Sequence, residues 1–395
     1  MIALSDEQRE VQEWAREFAQ REIRPRALLL DKNPESPERE VLLRAAAHAG
    51  LLGSSLPDFL GGAGHDPVTG ALVTEELAAE CSGCAVLFGA NMLGMLPILL
   101  SGNLGAIERF VRPVAQSWET EHPQLAALAA TEPDVGSDFI MGHPQGRLRT
   151  RVEKKDGGYV INGRKIFISN GSLASLVTVF ASHDPTGPIR ESVSCFAVPA
   201  DTKGFAVGQV FEKMGQRAAP AAELIFDDVW VPEENRLGNE GGGFALNRLI
   251  MSVTRTPIAA IALGIARSAY EKALAYAESR KQGGGPVVQH QAIEIMLADM
   301  AIRVEAARGL VWSAASSLAA GKPSLKLSSM AKTFASDAAV TNALDAIQIL
   351  GGYGYMQEYG VEKLLRDAKL TQIYEGTNQI NRFEIMEAIA AERAS

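Results

Sequence analysis

Val11, Trp14, Ala15 and Phe18 recur at the spacing of one helix face, so an amphipathic helix is predicted near the start of the chain. Ser5, with Gln8 three residues on, marks a capped beginning, and Arg24-Pro25 is expected to end the element. Val41 to Ala49 predicts a second helix stopped by Gly50, and Val73 to Glu80 a third. Leu60-Gly61-Gly62-Ala63-Gly64 follows no strand and precedes no lysine, so it reads as a turn and not as a phosphate cradle.

Near residue 125 the period changes. Tyr159-Val160-Ile161 and Arg164 to Ser169 flank Asn162-Gly163, which predicts a hairpin with its tight turn at Asn-Gly. Leu176 to Ala181, Ser194 to Val198, and Glu223 to Val231 before Pro232 are further strands. Short strands without helices between them predict a small antiparallel barrel or sandwich. From about Gly243 the helical period returns. Ile258, Ile261, Ala262, Ile265 and Ala269 form one stripe. Ile293, Met296, Leu297, Met300, Val304, Ala307 and Val311 form a second, and Leu327 to Leu350 a third. Alanine-rich helices of this length predict a bundle that buries further surface in an oligomer. The pattern divides the chain into a helical region (1–125), a β region (126–235) and a helical bundle (236–395), an α+β fold.

Composition narrows the partners. A chain of 395 residues, 47% hydrophobic and 22% charged, is an ordinary globular protein with room for more than one core. Its net charge of −9 and lack of a basic stripe argue against nucleic acid and against an anionic membrane surface. Cys81 and Cys84 form a lone C-x-x-C pair with no second pair or histidine cluster, so buried free thiols are expected here and at Cys195, and no metal site. Charges arrive early after Met1, unlike a signal peptide, and the apolar run from Met92 to Leu100 is too short to cross a bilayer. A cytoplasmic, reducing setting is the expectation.

One segment suggests chemistry by itself. Gln372-Ile373-Tyr374-Glu375-Gly376-Thr377-Asn378-Gln379-Ile380 places a carboxylate between apolar residues and a Gly-Thr step. Apolar surroundings disfavour the charged form, and a carboxylate with a raised pKa suits removal of a proton beside a carbonyl. An ordinary helix-start glutamate meeting the helix dipole is the alternative at this point.

Four motifs carry a wider resemblance. They are Thr131-Glu132-Pro133-Asp134-Val135-Gly136-Ser137-Asp138, Lys165 to Gly171, Phe226-Asp227-Asp228-Val229 with Val231-Pro232, and Tyr374-Glu375-Gly376-Thr377. Gln348-Ile349-Leu350-Gly351-Gly352-Tyr353-Gly354 supports them. In their order and spacing, from Ser5 to Glu387, the chain resembles the acyl-CoA dehydrogenase family. The resemblance implies an N-terminal helical domain, a central small β-barrel domain and a C-terminal four-helix bundle. It implies FAD as cofactor and α,β-dehydrogenation of an acyl-CoA thioester, with Glu375 as the base and an electron-transferring flavoprotein as acceptor. A homo-oligomer is implied too, a dimer at least and a tetramer by expectation. By the same resemblance Thr131, Gly136, Ser137, Phe167, Ser169, Thr377 and Gln379 meet FAD. Arg280, Gln291, Gln348, Gly351 and Gly352 serve its pyrophosphate and adenylate end across subunits. Ser137, Arg255, Leu87, Phe88, Leu93, Tyr374 and Gly376 border the substrate. Phe167 and Ser169, alternating on a strand, are expected to share the face that meets the flavin.

Departures matter as well. The phenylalanine that usually follows the pyrophosphate arginine is Gly283 here, which predicts a weaker adenine-side contact that a ring at this position would restore. Thr254 stands where some branches carry the base, so the base stays at Glu375. Ser252 replaces an aspartate that contacts CoA in several relatives, and Cys84 replaces the arginine of glutaryl-type members. An oxidase or monooxygenase on this scaffold, an enoyl-CoA reductase, and a non-catalytic flavin-containing binding protein are the competing functions.

Overall fold

The structure, a computed structural model, describes residues 4–394; Met1 to Ala3, part of the stretch read as no leader, and Ser395 lie outside the described residues. Helix α1 (Asp6–Phe18) starts as its capping box requires, with Gln8 N donating to Ser5 Oγ and Ser5 N to Gln8 Oε1, both at 3.1 Å. It does not stop at Arg24-Pro25. The chain widens into a π turn, Ala19–Ile23, and runs on as α2 (Arg24–Lys32). A wider turn accommodates the missing proline N–H and keeps the ring clear of the preceding carbonyl. Ile107–Val111 does the same ahead of Pro113. Helix α3 (Glu38–His48) ends before Gly50, whose φ of 71° is left-handed.

Helix α4 (Pro67–Leu100) is far longer than the predicted third helix and is broken once, at Cys81 (φ −158°, ψ 107°). With α6 (Gly243–Ser279) it is long and apolar enough to cross a bilayer, yet 67% and 78% of their most apolar windows are buried in the fold. These are core helices. Where they cross, Gly264 lets the backbones touch: a Cβ there would lie 2.6 Å from Glu75 O.

The β region forms one eight-stranded sheet in the order β6-β7-β3-β2-β4-β5-β8, with β1 beside β4. The strands are β1 (Leu125–Ala129), β2 (Arg151–Lys155), β3 (Gly158–Ser169), β4 (Ala174–Ser182), β5 (Val193–Pro199), β6 (Phe205–Val210), β7 (Ala221–Pro232) and β8 (Arg236–Leu237). Two expectations are corrected. The sheet is not wholly antiparallel, because β1 and β4 run parallel. The predicted hairpin at Asn162-Gly163 is one continuous strand, and the tight turn is Asp156-Gly157, at φ 52° and 76°. Asn162-Gly163 is a bulge in β3: Gly163 has φ 150°, and a Cβ there would meet Thr150 Cα at 2.6 Å. Asn162 fixes it by exchanging hydrogen bonds with Asp228. A short helix, α5 (Ser137–Met141), lies between β1 and β2.

The C-terminal bundle packs α6 against α7 (Gln291–Ala319) and α8 (Leu325–Leu350). The predicted stripes face inward: Ile261, Ile265, Met300 and Val304 are buried, as are Ala335, Ala339 and Ala343 of α8. Two helices that the periodicity did not separate follow, α9 (Val361–Thr371) and α10 (Asn378–Ala394). The link between them carries Glu375.

Candidate active site

Glu375 and Gly376 turn the chain with successive left-handed residues, at φ 55° and 85°. A non-glycine residue there costs about 1–3 kcal/mol and persists where its surroundings over-determine it. Here buried donors do so. Arg255 Nε donates to Glu375 O at 2.9 Å. Lys332 Nζ and Asn381 Nδ2 donate to Gly376 O at 2.7 and 2.8 Å. Arg255 and Lys332 are themselves wholly buried, Arg255 against Glu384 and Ser329, Lys332 also bonding Asn378 Oδ1 at 2.9 Å. Among the described residues no acceptor takes the Glu375 N–H.

The Glu375 side chain faces a cavity of about 530 Å³, and Thr254 Oγ1 donates to its Oε2 at 2.7 Å. Burial raises the pKa of this carboxyl; the Thr254 bond and the cations Arg255 and Lys332 pull it back only in part. Burial, and then Arg255, lowers Lys332 to about 7. A neutral amine still has two protons to donate, so its two acceptors remain satisfied in either state.

Of the residues expected at the site, Thr131, Gly136, Phe167, Ser169, Phe88, Leu93, Tyr374 and Glu375 line this cavity. Phe167 reaches it by a route the plain alternation did not foresee: a bulge between Lys165 and Ile168 sets Phe167 at φ 59°. Its ring lies 4.9 Å from that of Phe211 and is 58% exposed. Lys165, which simple alternation puts on the same face, is instead fully buried and paired with Glu132 at 2.8 Å. Glu132 also accepts from Arg149 N and Thr150 N. Burial opposes its ionisation, but Lys165 and these donors prevail and hold its pKa low. The Thr-Glu-Pro loop is thus braced from beneath.

Several expected residues lie elsewhere. Leu87 is fully buried, off the cavity wall, and contributes only its carbonyl, which accepts from Asn170 Nδ2 at 2.8 Å. The facing turns of α4 present Phe88, Gly89, Met92, Leu93 and Leu96 instead, at helical spacing. Arg255 stands behind the glutamate and not beside a substrate. Gly376 is buried under it, its α-carbon face 3.0 Å short of Arg255 Nη2 for any added Cβ. Ser137, at the start of α5, is half-buried beside the wall. Thr377 Oγ1 accepts from Ile380 N at the head of α10, and Gln379 is exposed.

Arg280, Gln291, Gln348, Gly351 and Gly352 lie off the cavity wall. The Arg280 guanidinium lies 5.7 Å over the Tyr353 ring, next to Gly351 and Gly352, which are exposed with open space above them. Gly283 corrects an expectation. With Gly284 it makes the two-residue turn of a small hairpin, β9 (Lys281–Gln282) and β10 (Gly285–Pro286), at φ 61° and 93°. A Cβ at Gly283 would meet His290 Cε1 at 3.0 Å, so a phenylalanine there is strained in backbone and crowded in space. The three cysteines are free and buried, and no group of three metal-type ligands occurs among the described residues. Cys81 begins the second half of α4, and Lys363 Nζ lies 3.5 Å from its sulfur.

Glu375, raised in pKa, and the uncovered Phe167 ring line one cavity between α4, α6 and the β sheet, an arrangement suited to an oxidoreductase that holds a ring cofactor. Residues 5–118, 127–229 and 241–390 match the acyl-CoA dehydrogenase N-terminal, middle and C-terminal domains. The chain belongs to the acyl-CoA dehydrogenase family. It is 44% identical over 383 residues to an acyl-CoA dehydrogenase of Bacillus subtilis (strain 168), covering 97% of each chain. It is 42% identical to cyclohex-1-ene-1-carbonyl-CoA dehydrogenase of Syntrophus aciditrophicus (strain SB), over 97% of this chain and 89% of that one. The structure of butyryl-CoA dehydrogenase from Megasphaera elsdenii superposes with a TM-score of 0.90 at 35% identity, over 99% and 100% of the two chains. FAD is the cofactor of this family, and the residues present fit it: the Phe167 ring is open, and the Thr131 and Ser169 hydroxyls have no partner among the described residues.

Lys332, Asn381 and Glu384 are the site residues that motif reasoning missed, while Thr254, set aside there as a base, binds the carboxylate. The one sequence signal of the missed residues is polarity within an apolar helix stripe, as with Lys332 between the buried Ala331 and Ala335.

Proposed function

We propose that this protein oxidises a saturated acyl-CoA across its α and β carbons, with Glu375 taking the α-proton. The observation that carries this is the Glu375 carboxylate itself, raised in pKa and aimed into the cavity while three buried donors hold the Glu375-Gly376 main chain. Bound FAD supplies the acceptor for the hydride leaving the β-carbon. Thr254 keeps one carboxylate oxygen engaged and leaves the other toward the substrate. The unpartnered Glu375 N–H is placed to receive the thioester oxygen, where negative charge develops as the proton leaves. The apolar wall excludes water and strengthens both interactions.

An electron-transferring flavoprotein as the next acceptor, and a dimer or tetramer, belong to the same proposal. Two observations support assembly: the Arg280 and Gly351-Gly352 group lies apart from its own cavity, and α7 and α8 expose Ile295, Ile302 and Leu344. The test is Glu375→Gln. We expect a yellow protein that binds acyl-CoA and loses turnover about a thousandfold or more. Turnover near wild type refutes the assignment.

A further inference from the structure

The cavity wall is not uniformly apolar. Part of its wall comes from the segment between α3 and α4, where Ser54, Ser55 and His65 line it together with Gly70 and Thr74 of the first half of α4. Ser54 Oγ lies 3.0 Å from His65 Nδ1. The other ring nitrogen, Nε2, and the Ser55 hydroxyl have no hydrogen-bond partner among the described residues. This segment shares no hydrogen bond with the loop that carries Glu375, which packs on α6, α8 and α10. Besides the acid–base site and the Thr131 and Ser169 hydroxyls, the wall carries Asn247, Thr256 and this hydroxyl–imidazole group. The remaining wall is largely apolar, from side chains such as Val73, Leu77, Ile258 and Ile261.

From this arrangement, and resting on the dehydrogenase reading above, we infer that the preferred substrates are acyl-CoAs whose chain bears a neutral hydroxyl at the end far from the thioester, received by Ser54, Ser55 and His65. The charge balance selects neutrality. No lysine or arginine among the described residues lines the cavity, so a second carboxylate would be buried without a counter-ion. Burial lowers the His65 pKa against the opposing influence of Asp66 and Glu7, so the imidazole is neutral near pH 7. A neutral imidazole paired through Nδ1 offers at Nε2 a donor or an acceptor according to its tautomer, and a hydroxyl satisfies either. A plain hydrocarbon end would cover the half-buried His65 Nε2 and offer it no hydrogen bond, whereas Ser55 is exposed to solvent.

The test uses the holoenzyme, an artificial electron acceptor, and saturated acyl-CoAs from hexanoyl to dodecanoyl, each paired with its terminally hydroxylated counterpart. The readout is the ratio of kcat/KM within each pair, so partial loss of active protein cancels. We expect one chain length at which the hydroxylated member is favoured about three- to tenfold. The ratio should fall to one or below in His65→Leu and in Ser54→Ala, through KM more than through kcat. Turnover of the plain acyl-CoAs with no preference at any length overturns this inference and leaves the dehydrogenase reading standing. A preference that survives in both variants overturns it as well. No turnover with any compound overturns the dehydrogenase reading, and this inference with it.

Discussion

Glu375 and Phe167 both sit on the cavity wall in left-handed backbone, and the fold treats them differently. Around Glu375, donors from α6, α8 and α10 grip two successive carbonyls, and Thr254 holds the carboxylate. Phe167 has a strand bulge, the ring of Phe211, and a face that is 58% exposed. Glu375 is thus fixed by the protein alone, at the expense of burying Arg255, Lys332 and Glu384. The ring is left for a ligand to cover. Preorganisation is concentrated where charge develops, as electrostatic catalysis requires.

The sharpest way to break this contrast is Arg255→Ala. It leaves the buried Glu384 with only the Arg248 contact at 3.3 Å and releases the Glu375 carbonyl. We expect about 3–5 kcal/mol less stability in denaturant unfolding and negligible turnover. Lys332→Met is next. Losing the bonds to Gly376 O and Asn378 should cost about 1–3 kcal/mol and lower kcat about ten- to a hundredfold, with bound flavin retained. It should also change a pH dependence. Lys332 falls to about 7 when folded, below its ordinary lysine value, so the unfolded chain binds the extra proton above that pH. Wild-type stability therefore gains from this residue as pH rises above about 7, and the variant should lack that gain. Phe167→Ala, by contrast, should leave stability within about 0.5 kcal/mol of wild type, because its ring is open. It should speed FAD loss on dialysis about fivefold, since an aromatic contact of this kind is worth about 1 kcal/mol. The smallest effect belongs to Thr254→Val. Thr254 donates to the carboxylate and so favours its charged form; removing it raises the Glu375 pKa further. The acidic limb of the kcat profile should move to higher pH.

Part of the fold is legible in the sequence. The stripes of α6 and α7 face inward as their spacing indicates, while the residues around Glu375 alone leave a helix-start glutamate open and the resemblance carries the choice. What escaped depended on partners distant in the chain. Asn162-Gly163 and Asp156-Gly157 have equal claims to a tight turn, and the pairing of β3 with β2 and β7 decides between them. β1 is Leu-Ala-Ala-Leu-Ala, a sequence of helical propensity that becomes a strand by lying against β4. Pro25 was misread because a π turn is invisible in periodicity. Leu87 and Arg255 are expected beside the substrate, but one faces the core and the other stands behind Glu375; which face of a helix meets a cavity is set by packing. Lys332 went unseen for a related reason, since a charge inside an alanine stripe earns its meaning from the carbonyls it reaches.

The central claim is that Glu375 removes the α-proton. It is tested most directly by following exchange of the α-hydrogen of a bound acyl-CoA with deuterated solvent by NMR, without an electron acceptor, in wild type and Glu375→Gln. The account predicts exchange in the wild type that accelerates as pH rises through the elevated carboxyl pKa, and none above background in the variant. Exchange at wild-type rate in Glu375→Gln would contradict it and place the base elsewhere.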